Sequence, residues 1–492
     1  MRFLKIKSKL FPATDCYSGK QTIAPHIPPS AKGGIKPSRF LALTLALALA
    51  GCGSMLKTDY QRPAVTIPAH WQGQTTTGNT VAMTEHWWTR FDDPTLTALI
   101  DKALRSNNDL AAAAIKVRRA RLQAGLTDTN LTPSVTVSGN GSVSKDLKNG
   151  GPSTKTYSAT ASLSYELDLW GRLARLRDAA DWEAQATELD RQNTALALIG
   201  TTAQLYWQIA YLNQRVAANE ASLVYAQQAL TLTQVKHRAG AVAGLDEVQA
   251  EQSVATQQAN LATLQQQREE ARNALAILFD QAPQNREAER DRLPDSALPD
   301  VPAGIPADVL GRRPDLQAAE WRLKESLANV DATRLGFYPT FSLTGSVGST
   351  SASLANVLSN PLGTLGAGLV LPFVQWNTTQ LTIKVSQSQY DEAVVNFRQT
   401  LYKALADVEN TLSARMYYRQ QGDALQRAFD LSRRAEQLAE VRYRAGQTGV
   451  KEWLDQQESR RSAESALAEN HYNQLNNLMK VYQALGGDVV GQ

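Results

Sequence analysis

Four stretches of the chain alternate apolar and polar residues with a period of two, the pattern of a strand with two unlike faces. Val135, Val137, Gly139 and Val143 share one face of the first, and Thr136, Ser138, Asn140 and Ser142 the other. In "YSATASLSYELDLW", Tyr157, Leu163, Tyr165, Leu167 and Leu169 share a side with Ala159 and Ala161. Ser158, Thr160, Ser162, Ser164, Glu166 and Asp168 line its opposite side. Phe341, Leu343 and Val347 alternate with Ser342, Thr344 and Ser346, and Ala367, Leu369 and Leu371 continue the scheme in the fourth stretch. Strands are expected over about 133–143, 157–169, 339–349 and 365–374.

Alternation alone also fits a half-buried strand of a soluble sandwich. Here each run is about the 9–11 residues that a tilted strand needs to cross the hydrocarbon of a bilayer. The polar faces are rich in Ser and Thr and poor in charge, as a water-filled lumen requires. Yet single-chain barrels begin at about eight strands, and lipid does not tolerate the open edges of a smaller sheet. A barrel built from these strands has to be shared between chains. Two copies or three would serve, and the pattern does not choose.

Most of the remainder reads as helix. Amphipathic helices are expected over about 109–130 and 315–336, and far longer ones beyond each strand pair. No proline occurs between Pro152 and Pro283 or after Pro372. Helical composition runs from Gly171 to Arg238 and restarts from Leu245 toward Phe279. The apolar seams are narrow: Val254, Leu261, Leu264, Ala271, Leu275 and Leu278 in one, Val394, Phe397, Leu401, Leu405, Val408 and Leu412 in another. Steps of three, four or seven suit helices lying side by side, not a broad globular core.

The two halves are one unit written twice. Asp109-Leu110 recurs as Asp315-Leu316, Pro133 as Pro339, Gly139 as Gly345, Trp170 as Trp376, and Arg238-Ala239-Gly240 as Arg444-Ala445-Gly446. All share an offset of 206 residues, far beyond the ~20–50 of a solenoid repeat. Repeats are expected over 109–282 and 307–486, joined by a Pro-rich linker from Pro283 to Pro306 and followed by a tail, 487–492.

"LALALAGCGS" has a different meaning. The apolar run Phe40 to Ala50 is too short for the ~20 residues of a membrane helix. Lys36 and Arg39 precede it and small residues close it, the layout of a secretory leader. Leu49-Ala50-Gly51-Cys52 reads as a lipobox, so residues 1–51 are expected to be removed and Cys52 to carry S-diacylglycerol and N-acyl groups. Gly53 stands where an inner-membrane retention signal would place aspartate, which directs the chain to the outer membrane. The 35 residues ahead of Lys36 are long for a leader, as expected of either a start placed too early or an artificial extension.

Removing the leader changes the charge. Residues 1–51 hold eight Lys+Arg and one Asp+Glu, so the remainder carries −3 against +4 for the whole chain. No basic surplus is left to suggest nucleic acid. Cys16 goes with the leader, which leaves Cys52 alone and no intrachain disulfide. Residues 52–108 then form an acylated N-terminal segment ahead of the first repeat.

Taken with "HWWTRFDDPTLTALI" (86–100), "LGRRPDLQAAE" (310–320) and "FYPTFSLTGS" (337–346), the chain resembles the TolC-like outer-membrane efflux proteins, in the acylated branch of OprM- and NodT-type lipoproteins. That resemblance implies a mixed α+β fold, internally duplicated. Three chains would share a 12-stranded barrel in the outer membrane, continuing into a long periplasmic α-helical barrel, with the linker at its equatorial belt. It implies a passive exit duct for drugs or other small toxic molecules. Its partners would be a periplasmic membrane-fusion adaptor and an inner-membrane pump of the resistance-nodulation-division or major-facilitator type.

The same resemblance places functional residues. The adaptor would dock on the turns "HRAGAVAGL" and "YRAGQTGV", at Gly240, Ala241, Val242, Gly244, Gly446, Gln447 and Gly449. Glycines there would permit left-handed turns, and they also serve as plain helix terminators. In "WLDQQES", Asp455 takes the position of a pore-narrowing aspartate ring, with Glu452 three residues before it. Lys451 stands where an apolar constriction residue is usual and is spaced to pair with Asp455. Glu458 replaces a frequent cation, and Tyr443 is a candidate for a hydrogen bond that ties the helices shut. An ordinary solvated helix face is the alternative reading.

Rival functions find less support. Glu452 and Asp455 could serve as acid and base, but no apolar pocket pattern accompanies them. His26, His70, His86, His237 and His471 lack metal-ligand spacing, and no phosphate loop or nucleophile elbow appears. No enzyme and no cofactor is therefore expected. A structural coiled-coil lipoprotein would not need membrane-length two-faced strands. A duct of an ABC-driven peptide or protein secretion system stays open.

Overall fold

A computed structural model describes residues 56–72, 86–148, 150–295, 298–299 and 311–487. The chain divides into two units, 1–51 and 52–492, and the description concerns the second. Cys52, the lipobox, the 300–306 part of the linker and the last five residues lie outside the described residues.

The first helix, α1 (Pro94–Ser106), starts at Pro94, whose missing N–H costs nothing there. The Asp93 carboxylate accepts from the Thr95 and Leu96 amides, and Leu96, Leu99, Ile100 and Ala103 face inward. Asn107 caps α2 (Asn108–Asp128) by accepting from Leu110 N at 3.1 Å. Then come β1 (Ser134–Ser144), β2 (Thr154–Leu167), α3 (Arg172–Arg238) and α4 (Gly244–Ile277). The second copy follows in the same order: α5 (Pro314–Leu335), β3 (Thr340–Ser351), β4 (Leu362–Val370), α6 (Trp376–Arg444) and α7 (Val450–Ala484). The repeat offset reappears in the starts of β1 and β3, the ends of α3 and α6, and the starts of α4 and α7.

The strands form one antiparallel sheet in the order β1-β2-β3-β4. Its register collects like with like. One row runs Val135, Leu163, Gly345, Leu365, and the next Val137, Ala161, Val347, Gly363. The alternate face carries the row Thr136, Ser162, Ser346, Thr364, with the Ser346 and Thr364 hydroxyls 2.5 Å apart. A one-residue slip would mix the two faces, which is why pattern fixes register.

Two strands end earlier than expected. β2 stops at Leu167 because Asp168 turns to cap α3, accepting from Leu173 N at 3.0 Å and Ala174 N at 2.8 Å. β4 spans Leu362–Val370 rather than 365–374, since Pro372 has no N–H for the ladder and opens a 3₁₀ turn. Trp170 Nε1 donates to Pro339 O at 2.8 Å and so joins the base of one strand pair to the other.

At ~1.5 Å per residue, α3 with 67 residues and α6 with 69 are each about 100 Å long. α3 packs against α2, α4, α5 and α7, and α6 against α5 and α7. The seams turn inward where expected: Leu264, Ala271 and Leu275 on α4, and Phe397, Leu401, Leu405, Val408 and Leu412 on α6, are buried. The main core sits midway along these rods, where Trp87, Tyr206, Trp207 and Tyr482 are fully enclosed. The described linker residues pack beside it: Lys102 binds Glu287, Arg290 binds Asp93 and Leu293 is buried. No described helix is long and apolar enough to cross a membrane.

Candidate functional site at the helix hairpin turns

A second, smaller core lies far from the first, where the paired rods reverse direction. It joins Ala229 of α3, Ala439 and Tyr443 of α6, and Val450 and Trp453 of α7. The reversals themselves are Schellman turns. After α3, Gly240 N donates to His237 O and Ala241 N to Lys236 O, both at 2.9 Å. After α6, Gly446 N donates to Tyr443 O at 3.1 Å and Gln447 N to Arg442 O at 3.0 Å. Gly240 and Gly446 have φ of +69° and +72°, the left-handed region only glycine enters freely.

The other two glycines behave differently from expectation. Gly449 has φ −71° and stands as the N-cap of α7, while Gly244 is the first residue of α4; neither is left-handed. A left-handed residue ends a helix, whereas the start of the next needs only extended or helical backbone. Gly240, Ala241, Gly244, Gly446, Gln447 and Gly449 are all exposed, and Val242 is half-buried.

Tyr443 is buried and anchors the turn core. Thr233 donates its hydroxyl to Ala229 O at 2.8 Å, so the Tyr443 hydroxyl, 3.1 Å from Thr233 Oγ1, is the donor in that contact. Lys236 Nζ sits 3.8 Å from the centre of the Tyr443 ring and donates to Tyr443 O at 2.9 Å. The Trp453 ring stacks on that of Tyr443 with centroids 5.4 Å apart. The first copy places His237 and Glu247 at the corresponding positions, joined at 2.6 Å. The expected hydrogen bond of Tyr443 therefore exists and links the two copies. Thr233 and Lys236 were missed as its partners, since nothing in their spacing reveals which helix lies opposite.

The first turns of α7 carry the expected charged set. Val450, Trp453 and Gln457 face inward, and at 100° per residue Lys451, Asp455 and Glu458 lie on the opposite side. Lys451 Nζ is 2.6 Å from Asp455, as the i, i+4 spacing predicts. Glu452 is instead held by Arg442 across the turn at 2.9 Å, and Glu458 by Arg461 at 2.5 Å. Glu452 and Asp455 thus each pair with a separate cation.

A carboxyl pair does occur elsewhere. Where α3 meets α5, burial first and the Glu183 carboxyl second push Glu325 up to about 7. Arg322, which binds Asp190 and lies 3.3 Å from Glu183, opposes the shift. This cluster escaped the sequence reading because its members come from different copies. Among the described residues no group of His, Cys, Asp and Glu is arranged to hold a metal ion.

Long rods, a four-stranded sheet with two free edges and glycine-turned hairpins define a class of duplicated outer-membrane channel chains. A profile of the outer membrane efflux protein family matches residues 99–279 and 305–487, and the chain belongs to that family. It is 31% identical over 461 residues to the pyoverdine export outer membrane protein OpmQ of Pseudomonas putida, covering 92% of this chain and 97% of that one. It is 29% identical over 448 residues to the toxin and drug export protein A of Aggregatibacter actinomycetemcomitans, covering 91% and 97%. Among solved structures, the open state of the MtrE outer membrane channel of Neisseria gonorrhoeae aligns with a TM-score of 0.73 at 30% identity, over 88% of this chain and 98% of that one.

Proposed function

We propose that three copies of this chain close into one duct, a 12-stranded barrel in the outer membrane above a periplasmic helical barrel. The observation that carries this is the sheet: β1 and β4 end it, and Val135, Val137, Val347 and Leu365 are exposed on one continuous face. Neither open edges nor that face suit water, and lipid accepts the face only once the edges pair. Two copies would make an eight-stranded barrel, whose interior side chains fill. Three is the smallest number that leaves a passage.

The duct passively exports drugs or other small toxic molecules, handed to it by an inner-membrane pump through a periplasmic adaptor. The names of relatives support this, since they concern export of pyoverdine and of toxins and drugs. Acyl chains on Cys52 anchor the N-terminus in the inner leaflet. The turns at Gly240–Gly244 and Gly446–Gly449 receive the adaptor, and Asp455 with its neighbours narrows the entrance.

In-cell photo-crosslinking from position 241, in place of Ala241, tests the docking surface. Capture of a periplasmic adaptor supports the duct. Capture of nothing, while trimers are demonstrably in the outer membrane, removes the turns as the docking site.

A further inference from the structure

We propose that Lys451 cancels the charge of the Asp455 ring, so that the entrance passes neutral and anionic small molecules instead of selecting cations. The inference rests on the duct reading above, in which the outward face of α7 surrounds the axis.

A bare ring of three aspartates would concentrate cations and repel anions in a narrow, low-dielectric passage. Here the ring is not bare. Each carboxylate in the first turns of α7 has a cation on its own chain: Arg442 for Glu452, Lys451 for Asp455 and Arg461 for Glu458. Lys451 and Asp455 are 65% and 57% exposed on the single chain, as residues lining the ring would be. An exposed ion pair contributes little stability and opens often. That does not restore the field. Positions i and i+4 stay about 5–6 Å apart whether or not the pair is closed, within the ~8 Å over which physiological salt screens charge. Three lysines one turn from three aspartates leave the ring without net charge.

The first copy carries Asp246, Glu247 and Glu251 in the opening turns of α4, with Glu247 matched by His237, but no charge at the ring positions. Positions equivalent to Lys451, Asp455 and Glu458 are Leu245, Gln249 and Gln252, all uncharged. The second copy therefore adds no net charge there, since Lys451–Asp455, Arg442–Glu452 and Arg461–Glu458 are each internally matched.

Reversal potentials of the purified full-length trimer in planar bilayers, under a KCl gradient, test this. Wild type should discriminate weakly between K⁺ and Cl⁻. Lys451→Gln should raise the K⁺/Cl⁻ permeability ratio at least about threefold and Asp455→Asn should lower it, with the double variant returning to wild type. Lys451→Arg should leave the ratio unchanged and reports on folding. A ratio moved by Asp455→Asn but not by Lys451→Gln would overturn the compensation while keeping the ring. If neither variant alters ratio or conductance, α7 does not line the constriction and the gate reading itself fails.

Discussion

Glycine shows how finely single positions divide at the hairpin turns. Gly446 takes φ +72° with no atom within 4 Å of the place a Cβ would occupy, so only backbone strain opposes a side chain there. Gly446→Ala should cost about 1–2 kcal/mol, read as a five- to thirtyfold loss of hydrogen-exchange protection in the turn. Gly244→Ala should have the opposite sign and stabilise by about 0.4–1 kcal/mol. Its added methyl meets the His237 ring at 3.6 Å, an ordinary contact. Four glycines were legible as turn residues, but only the backbone distinguished the two that terminate a helix from the two that begin one.

Strands and helices carry different vulnerabilities. Leu365 is 95% exposed on the apolar face, and its neighbour Thr364 lies in the polar row. Leu365→Arg should destabilise the inserted barrel by about 2–4 kcal/mol near the membrane midplane, seen as loss of folded protein from the outer-membrane fraction. Thr364→Arg should fold and insert. The α3–α5 seam makes a pH prediction. Burial beside Glu183 raises Glu325 from its ordinary 4.5 to about 7, so between those values the folded chain holds a proton that the unfolded chain has released. Stability from this group is full below 4.5 and falls as pH rises through about 7. Glu325→Gln should flatten the thermal-stability profile between about pH 4.5 and 7, and an unchanged profile would show that the carboxyl is not coupled to folding. The strands were legible because a two-faced sheet writes its period into the chain. The Glu183–Glu325 contact was not, because it depends on which rods become neighbours.

In the proposed duct, insertion and anchoring should be separable. Acyl chains at Cys52 would add about 0.8 kcal/mol per buried methylene, but in the proposed barrel the apolar face of the sheet would be a membrane surface in its own right. Cys52→Ala should lose its lipid mass by mass spectrometry and still yield trimers in the outer membrane. Complete absence of trimers would mean that the barrel does not insert without its anchor.

What the sequence determined by itself is whatever has a short period or a short reach. Strand faces follow period two, the rods follow steps of three and four, the hairpins follow Arg-Ala-Gly, and the duplication follows one constant offset. The Lys451–Asp455 pair also belongs here, because both residues lie on one helix a single turn apart. Tertiary structure alone decided the contacts made between one element and another: Tyr443 on Thr233, Arg442 across the turn on Glu452, Trp170 on Pro339, and Arg322 between Glu183 and Asp190. Hydrophobic spacing tells a helix which face to bury and leaves open which partner covers it. Side-chain contacts between rods are settled only when those rods lie side by side.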